Sequence, residues 1–308
     1  MLDVRRMRVL REVAARGSFS AAAEALSFTQ SAVSQHIAAL ERESGAKLVE
    51  RGSRGVRMTD AGQALVGHAD AILARIECAE EELAALAGLR GGRLRLACFQ
   101  RAGATLVPRA VAAFHERHPD VDLGMVEAEA EDAHARLKAG EIDLALVYDH
   151  EAIPQMQDGE LDLTHLVDDR YEAILPKGHP LAGRRKLRLA DLADEPWIAS
   201  TLAGGCRQIM QRACHDAGFE PRIAFEADET LAAQALVAAG VGVTLLPRLA
   251  LTTVHPAVVP RSLTNAPVRR VWAARLTGAY HSAATEAMLQ ILEDVAEEFR
   301  ESTLELAS

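Results

Sequence analysis

The sequence predicts three consecutive parts: an α+β head of short helices followed by a β-hairpin, one long helix, and an α/β body of two lobes. Three observations carry this. In the first 60 residues, apolar side chains recur at helical spacing in short segments and then give way to two strand-like runs around a glycine-containing turn. Over residues 61–89 they alternate in steps of four and three. Beyond Leu89-Arg90-Gly91-Gly92, the clearest boundary in the chain, strand patterns alternate with helical ones. A length of 308 residues suits two or three domains; 49% hydrophobic residues supply their cores, and only 4% aromatics points to aliphatic packing.

In the head, residues 2–15 form an amphipathic helix with Met7, Leu10, Val13 and Ala14 at helical spacing, ended by Gly17. Ser20 is read as the N-cap of a second helix, in which residues 21–25 are strong helix formers and Leu26 is the apolar anchor. Ser27-Phe28-Thr29 breaks the pattern, and Thr29 caps a third helix whose buried stripe is Val33, Ile37 and Leu40. Gln30, Ser31, Ser34, Gln35 and His36 fall outside that stripe, and side chains of this kind donate and accept at base edges and phosphates. On its own, the helix pair is equally well read as a surface helix with ordinary polar residues. The hairpin over residues 47–59 favours nucleic acid, because it carries Arg51, Arg54 and Arg57 beside the third helix, where they meet phosphate or the minor groove.

Charge is divided in the same sense. The net charge is −10, yet residues 1–60 hold 10 Lys and Arg against 7 Asp and Glu, a net of +3, which leaves −13 for the rest. So small an excess means that phosphate affinity comes from placed arginines and from dimerisation rather than from bulk charge.

The long helix spans residues 61–89, with Leu65, Ala69, Ile72, Ile76, Ala79, Leu83 and Leu86 on a heptad seam. A helix of roughly 40 Å, at about 1.5 Å per residue, needs a partner for such a stripe. Either it packs on its own domain or it pairs with a second copy; the seam through Leu65, Ile72, Ile76, Leu83 and Leu86 favours a homodimer.

In the body, residues 93–97 read as a strand, 104–118 as a helix, 121–126 as a strand, 130–139 as a helix and 142–148 as an almost wholly apolar strand. Strands follow at 161–167, 171–175 and 197–199, a helix at 205–217, a strand at 223–226, a helix at 230–239 and a strand at 241–246 stopped by Pro247. A strand over 268–274 and a helix over 282–304 close the chain. Two α/β lobes result, one of residues 91–160 plus 266–308 and one of residues 161–265, with crossings near Glu160 and Asn265. Ligands of open α/β sheets sit beyond the carboxyl ends of strands, and a cleft between two lobes suits a small molecule. The candidate contacts are therefore Cys98, Phe99, Gln100 and Arg101 after the first strand, Tyr148 and Asp149 after the third, and Ser200, Thr201 and Gly204 in the second lobe. Arg101 and the Gly204-Gly205 turn before a helix suggest an anionic ligand. The plainer readings are core packing for Cys98 and Phe99 and a solvated loop for Arg101.

In order along the head stand Gly17-Ser18-Phe19, Ala22-Ala23-Glu24-Ala25-Leu26, Gln30-Ser31-Ala32-Val33-Ser34, Leu40-Glu41 before Gly45, Leu48-Val49-Glu50-Arg51 and Thr59-Asp60-Ala61-Gly62. With these residues the head resembles the winged helix-turn-helix of the LysR-type transcriptional regulators. Ser31 stands where the family usually has Pro, and Val49 where it usually has Phe, which bears on the operator sequence rather than on the activity. Further matches run through residues 104–108, 114–119, 140–143, 179–182 and 240–247, so the resemblance covers nearly the whole chain. It implies a sequence-specific regulator with a DNA-binding domain over 1–60, a dimerisation helix over 61–89 and an effector-binding domain over 91–308 similar to periplasmic solute-binding proteins. It also implies double-stranded DNA with an inverted-repeat operator as one partner. A small-molecule effector between the lobes, a second copy of the chain in a dimer and then a tetramer, and RNA polymerase complete the partners.

A redox-sensing branch of the same family carries two cysteines where Cys206 and Cys214 lie, which gives the alternative of a thiol or peroxide sensor. Their eight-residue spacing differs by one from that branch and separates them by roughly 12 Å along a helix, too far to bond without unwinding. The four cysteines suit a reducing compartment. No phosphate loop, dinucleotide fingerprint, zinc-protease motif, C-x-x-C or nucleophile elbow is present, and the 11 histidines are scattered. The expectation is no enzyme, no cofactor and no metal. With no signal-peptide pattern and no apolar run long enough to span a bilayer in the sequence, the expectation is also a cytoplasmic location and no membrane partner.

Overall fold

A computed structural model describes residues 1–52, 55–86, 92–150, 159–201, 205–279 and 281–305. The head contains α1 (Val4–Arg16), α2 (Phe19–Ala25), α3 (Gln30–Ser44) and the hairpin strands β1 (Val49–Gly52) and β2 (Gly55–Met58). The Asp3 carboxylate accepts from the Arg5 amide at 2.8 Å to start α1, and Gly17 ends it in the left-handed region at φ 61°. Ser18, not Ser20, caps α2, accepting from the Ala21 amide. Phe19 between the two serines is the first helical residue and is buried, which moves the start of the helix forward. Thr29 caps α3 as expected, accepting from the Ala32 amide at 3.2 Å. Leu10, Val13, Phe19, Ala22, Val33, Ile37, Leu40 and Leu48 form the core of the head.

Helix α4 (Asp60–Leu86) leaves the wing at once. A Cβ on Gly62 would stand 2.1 Å from the Leu48 carbonyl oxygen, so only glycine lets the helix cross the strand this closely. Leu65 was expected on the dimer seam, but it packs with Val66 against the core of the head, because the first turns of α4 lie on α1. Ala69, Leu73 and Ala74 are also buried. Ile72, Ile76 and Leu83 are 37%, 38% and 67% exposed. The Leu86 side chain lies outside the described residues.

The body then runs β3 (Gly92–Cys98), α5 (Gln100–Gly103), α6 (Leu106–Arg117), β4 (Val121–Glu127), α7 (Ala130–Ala139), β5 (Leu144–His150), β6 (Leu161–Pro176), β7 (Lys186–Leu187) and β8 (Pro196–Ala199). It continues with α8 (Gly205–Asp216), β9 (Arg222–Glu226), α9 (Thr230–Ala238), β10 (Thr244–Pro247), β11 (Val258–Leu263), β12 (Val268–Leu276) and α10 (Ala283–Glu305). An eight-stranded sheet has the order β4-β3-β5-β12-β6-β11-β7, with β10 also on β6. The strands expected at 161–167 and 171–175 are one strand, β6. Its first part pairs with β12 through Val268↔Arg170, and its last part with β10 and β11 from Pro247↔Tyr171 onward. The chain thus enters the second lobe at Arg170–Tyr171, some ten residues after the expected crossing near Glu160.

Lobe 1 is centred on Leu94, Leu96, Phe114, Leu144, Leu146 and Met288. Lobe 2 is centred on Trp197, Ile209, Met210, Leu187 and Leu263. Two elements absent from the sequence reading, β7 and β11, close the second lobe's edge in parallel.

Candidate nucleic-acid interface and interlobe cleft

The stripe of Val33, Ile37 and Leu40 turns the opposite face of α3 outward. Gln30, Ser31 and Gln35 are exposed; Ser34 and His36 are half-buried. The Ser31 hydroxyl lies 3.0 Å from the Thr29 hydroxyl, so it supports the start of the helix as well as facing outward. Arg57 is exposed on the wing; Arg54 and the Arg51 side chain lie outside the described residues. Sequence reasoning passed over Phe28. Its ring is 47% exposed and stacks on the His36 ring at 5.6 Å and 19°. An aromatic residue in a turn with no apolar stripe to join was the available signal. Ser27 beside it takes a φ of 55°, which folds the turn tightly. The Glu41 carboxylate fastens α3 to the wing, accepting from the Leu48 amide at 3.0 Å and the Lys47 ammonium at 3.1 Å.

The second site lies where β6 and β12 pass between the lobes. Asp169 and Arg269 face each other in register, Arg269 Nε donating to Asp169 at 2.8 Å, with both side chains fully buried. Burial works against the Arg269 charge, but Asp169 holds the guanidinium above its ordinary pKa. Its plane lies 4.9 Å from the Phe99 ring and 4.7 Å from the Tyr148 ring. Cys206, at the start of α8, brings its Sγ 3.7 Å from the Tyr171 hydroxyl, 3.9 Å from the Tyr148 hydroxyl and 4.0 Å from Arg269 Nη1. Burial, then Cys206, pushes the Tyr148 phenol well above its usual range. Two lobes and both connecting strands therefore meet around one thiol.

A small cavity of about 30 Å³ opens beside it, with Arg101 from lobe 1 facing Ser200, Asp228, Thr230 and Thr244 from lobe 2. Arg101 Nε is buried and has no hydrogen-bond partner among the described residues. Ser200 and the Thr201 amide both donate to Asp228, at 2.6 Å and 2.8 Å, as does the Thr201 hydroxyl. Asp228 was missed in the sequence, although it follows a strand end just as the candidates chosen there do.

The other candidates divide. Phe99 and Tyr148 pack edge to face at 4.9 Å beneath Arg269 and support the cleft from behind. Cys98 is buried 3.7 Å from Met125 Sδ, and burial and Glu127 push its thiol up to about 11. Asp149 is engaged by Arg270 at 3.0 Å and by the Trp272 indole at 3.1 Å. Gln100 is exposed, and Gly204 lies outside the described residues. Of the sequence candidates, Arg101 and Ser200 line the cavity. Cys214 is buried in the lobe 2 core with its thiol pushed up to about 12 by burial and Glu220. Among the described residues, no cluster of three metal-ligating side chains occurs, and no helix is long and apolar enough to cross a membrane.

Comparison with known proteins decides the family. Residues 4–63 match the bacterial regulatory helix-turn-helix model of the LysR family, and residues 87–297 match the LysR substrate binding domain. The chain belongs to the LysR family of transcriptional regulators. A probable HTH-type transcriptional regulator LrrA of Synechococcus elongatus is 32% identical over 300 residues, covering 97% of this chain and 99% of that one. A probable hydrogen peroxide-inducible genes activator of Mycobacterium avium is 36% identical over 249 residues, covering 79% and 77%. The fold matches full-length CbnR complexed with its target DNA at a TM-score of 0.69 and 19% identity, covering 96% of this chain and 100% of CbnR. This LysR regulator thus pairs a DNA-binding helix-turn-helix with an effector-binding domain, in a family of regulators rather than enzymes.

Proposed function

We propose that this regulator reads an inverted-repeat operator as a cytoplasmic homodimer, assembling further into a tetramer, and that a small anion held between its lobes changes how the paired heads lie on DNA and meet RNA polymerase. The exposed Gln30, Ser31 and Gln35 on α3, opposite its buried stripe, carry the reading of sequence. Arg57 supplies phosphate contact, and Phe28 adds an aromatic face at the edge of the reading surface. The exposed Ile72, Ile76 and Leu83 on α4 supply the dimer seam. The observation that selects an anion is the buried, unpartnered Nε of Arg101, whose side chain lines a cavity whose acid, Asp228, already accepts from Ser200 and Thr201. A cavity of about 30 Å³ suits a ligand group of one to a few heavy atoms until the lobes part. A thermal-shift screen of carboxylates tests this reading: the stabilising compound should lose its effect on Arg101→Gln, and an effect unchanged in that variant would remove the assignment.

A second reading is favoured by Cys206, which lines the same cavity among two phenols and a guanidinium. It would sense oxidants alone, since Cys214 sits in the core of the lobe. Mass spectrometry after mild peroxide treatment decides, a sulfenic acid on Cys206 supporting it and an unmodified thiol ending it.

A further inference from the structure

Helix α4 is seated against lobe 1 as well as against the head. Ala74 is buried, and it faces Gly140, which ends α7 at φ 69°. A Cβ on Gly140 would come within 2.4 Å of the Ala74 Cβ, so at this point the linker helix and the lobe touch through the Ala74 methyl alone. A cavity of about 110 Å³ lies on one side of this contact, bounded by Ala71 and Arg75 of α4, by Leu137 and Lys138 of α7, and by the start of α10. A second cavity of about 380 Å³ lies on the other side, between Arg11 and Asp70 at the head and Arg93 and Arg95 of β3.

The walls of the smaller cavity combine an apolar part with charged groups of both signs, among which the Arg75 guanidinium stands free of an ion pair among the described residues. Leu137, Ile142 and Leu276 supply the apolar part. Of the charged groups, Lys138 pairs with Glu160, and Asp143 accepts from the Arg95 amide at 2.7 Å while burial pushes its carboxyl above the ordinary value, which works against its charge. The Ser282 and Thr285 hydroxyls bond to each other at 3.0 Å. Burial and the Arg275 charge hold His281 below its ordinary pKa. Arg75 is exposed and has no ion-pair partner among the described residues.

We propose that this seam is a second ligand site, separate from the interlobe cleft, for a small carboxylate whose head meets Arg75 and whose short apolar body lies on Leu137, Ile142 and Leu276. An apolar cavity of about 150 Å³ takes benzene, so 110 Å³ suits a body of roughly four carbons. The ligand touches α4 and lobe 1 together. It therefore binds only while the helix is seated, and shifts the population toward that arrangement of head and body.

The test uses the full-length protein and three four-carbon probes, butyrate, butylammonium and 1-butanol, followed by saturation-transfer NMR titration. Butyrate is expected to bind with a millimolar Kd and at least tenfold more tightly than the other two. Arg75→Gln should remove most of that preference, Ala71→Leu should fill the cavity and abolish binding, and Arg101→Gln should leave it unchanged. No saturable binding of butyrate, equal binding of butylammonium, or binding that survives Ala71→Leu would overturn the site. Binding lost in Arg101→Gln would overturn it too, by placing the anion in the cleft, whereas failure at the seam alone leaves the cleft reading standing.

Discussion

Asp169 and Arg269 lie directly opposite each other on the two strands that join the lobes, as a fully buried ion pair. Removing one partner strands a charge in the interior. Asp169→Ala should therefore destabilise the body by about 3–5 kcal/mol, while replacing both, as in Asp169→Leu with Arg269→Met, should recover most of the loss. Urea unfolding followed by tryptophan fluorescence reads this directly, because Trp197 and Trp272 both lie in the body. If the double variant is no more stable than the single one, the pair does not act as a unit.

Gly205 is a contact between the lobes as much as a helix start. A Cβ there would stand 3.0 Å from Cε2 of Tyr148. Gly205→Ala should cost about 1–3 kcal/mol through overpacking. Gly62→Ala meets the Leu48 backbone carbonyl instead, which cannot rotate away, and should destabilise the head more. Thermal melts of both variants give the comparison, and an unaffected Gly62→Ala would mean that α4 can move off the wing.

Glu41 makes the head's stability depend on pH. Partial burial works to raise its pKa, but the Leu48 amide, the Lys47 ammonium and the Val49 amide outweigh it and hold the carboxyl below its ordinary value of 4.5. A carboxylate depressed in the folded state contributes stability above its unfolded pKa and loses it as pH falls through the folded value. Glu41→Gln should therefore lower the melting temperature at pH 7, and the gap to the unaltered protein should narrow progressively below pH 4.5. A gap independent of pH would assign the effect to lost packing.

Much of this organisation is legible in the sequence because it is local. The caps Thr29 and Gly17, the α3 stripe and the apolar β5 follow from spacing and residue type alone. What escaped is set by distant partners. The charged run Asp168-Asp169-Arg170 reads as a break between two strands, yet it continues one strand, since Arg269 neutralises Asp169 across a hundred residues. Leu65 fits the heptad as well as Ile72 does, and only the position of α1 turns it toward the head. In the cleft, strand ends pointed to Arg101 and Ser200. They also pointed to Asp149, whose carboxylate is taken by Arg270 and Trp272 on a neighbouring strand.

The central claim is that the outward face of α3 reads base sequence while the wing holds the backbone. It is tested by fluorescence anisotropy on a duplex that the unaltered protein selects from a random pool, with a scrambled duplex for comparison across a salt series. Gln35→Ala should reduce the ratio of the two affinities by about 1–3 kcal/mol. Arg57→Ala should weaken both affinities alike and lower the salt slope by about one. A ratio unchanged by Gln35→Ala would contradict the account.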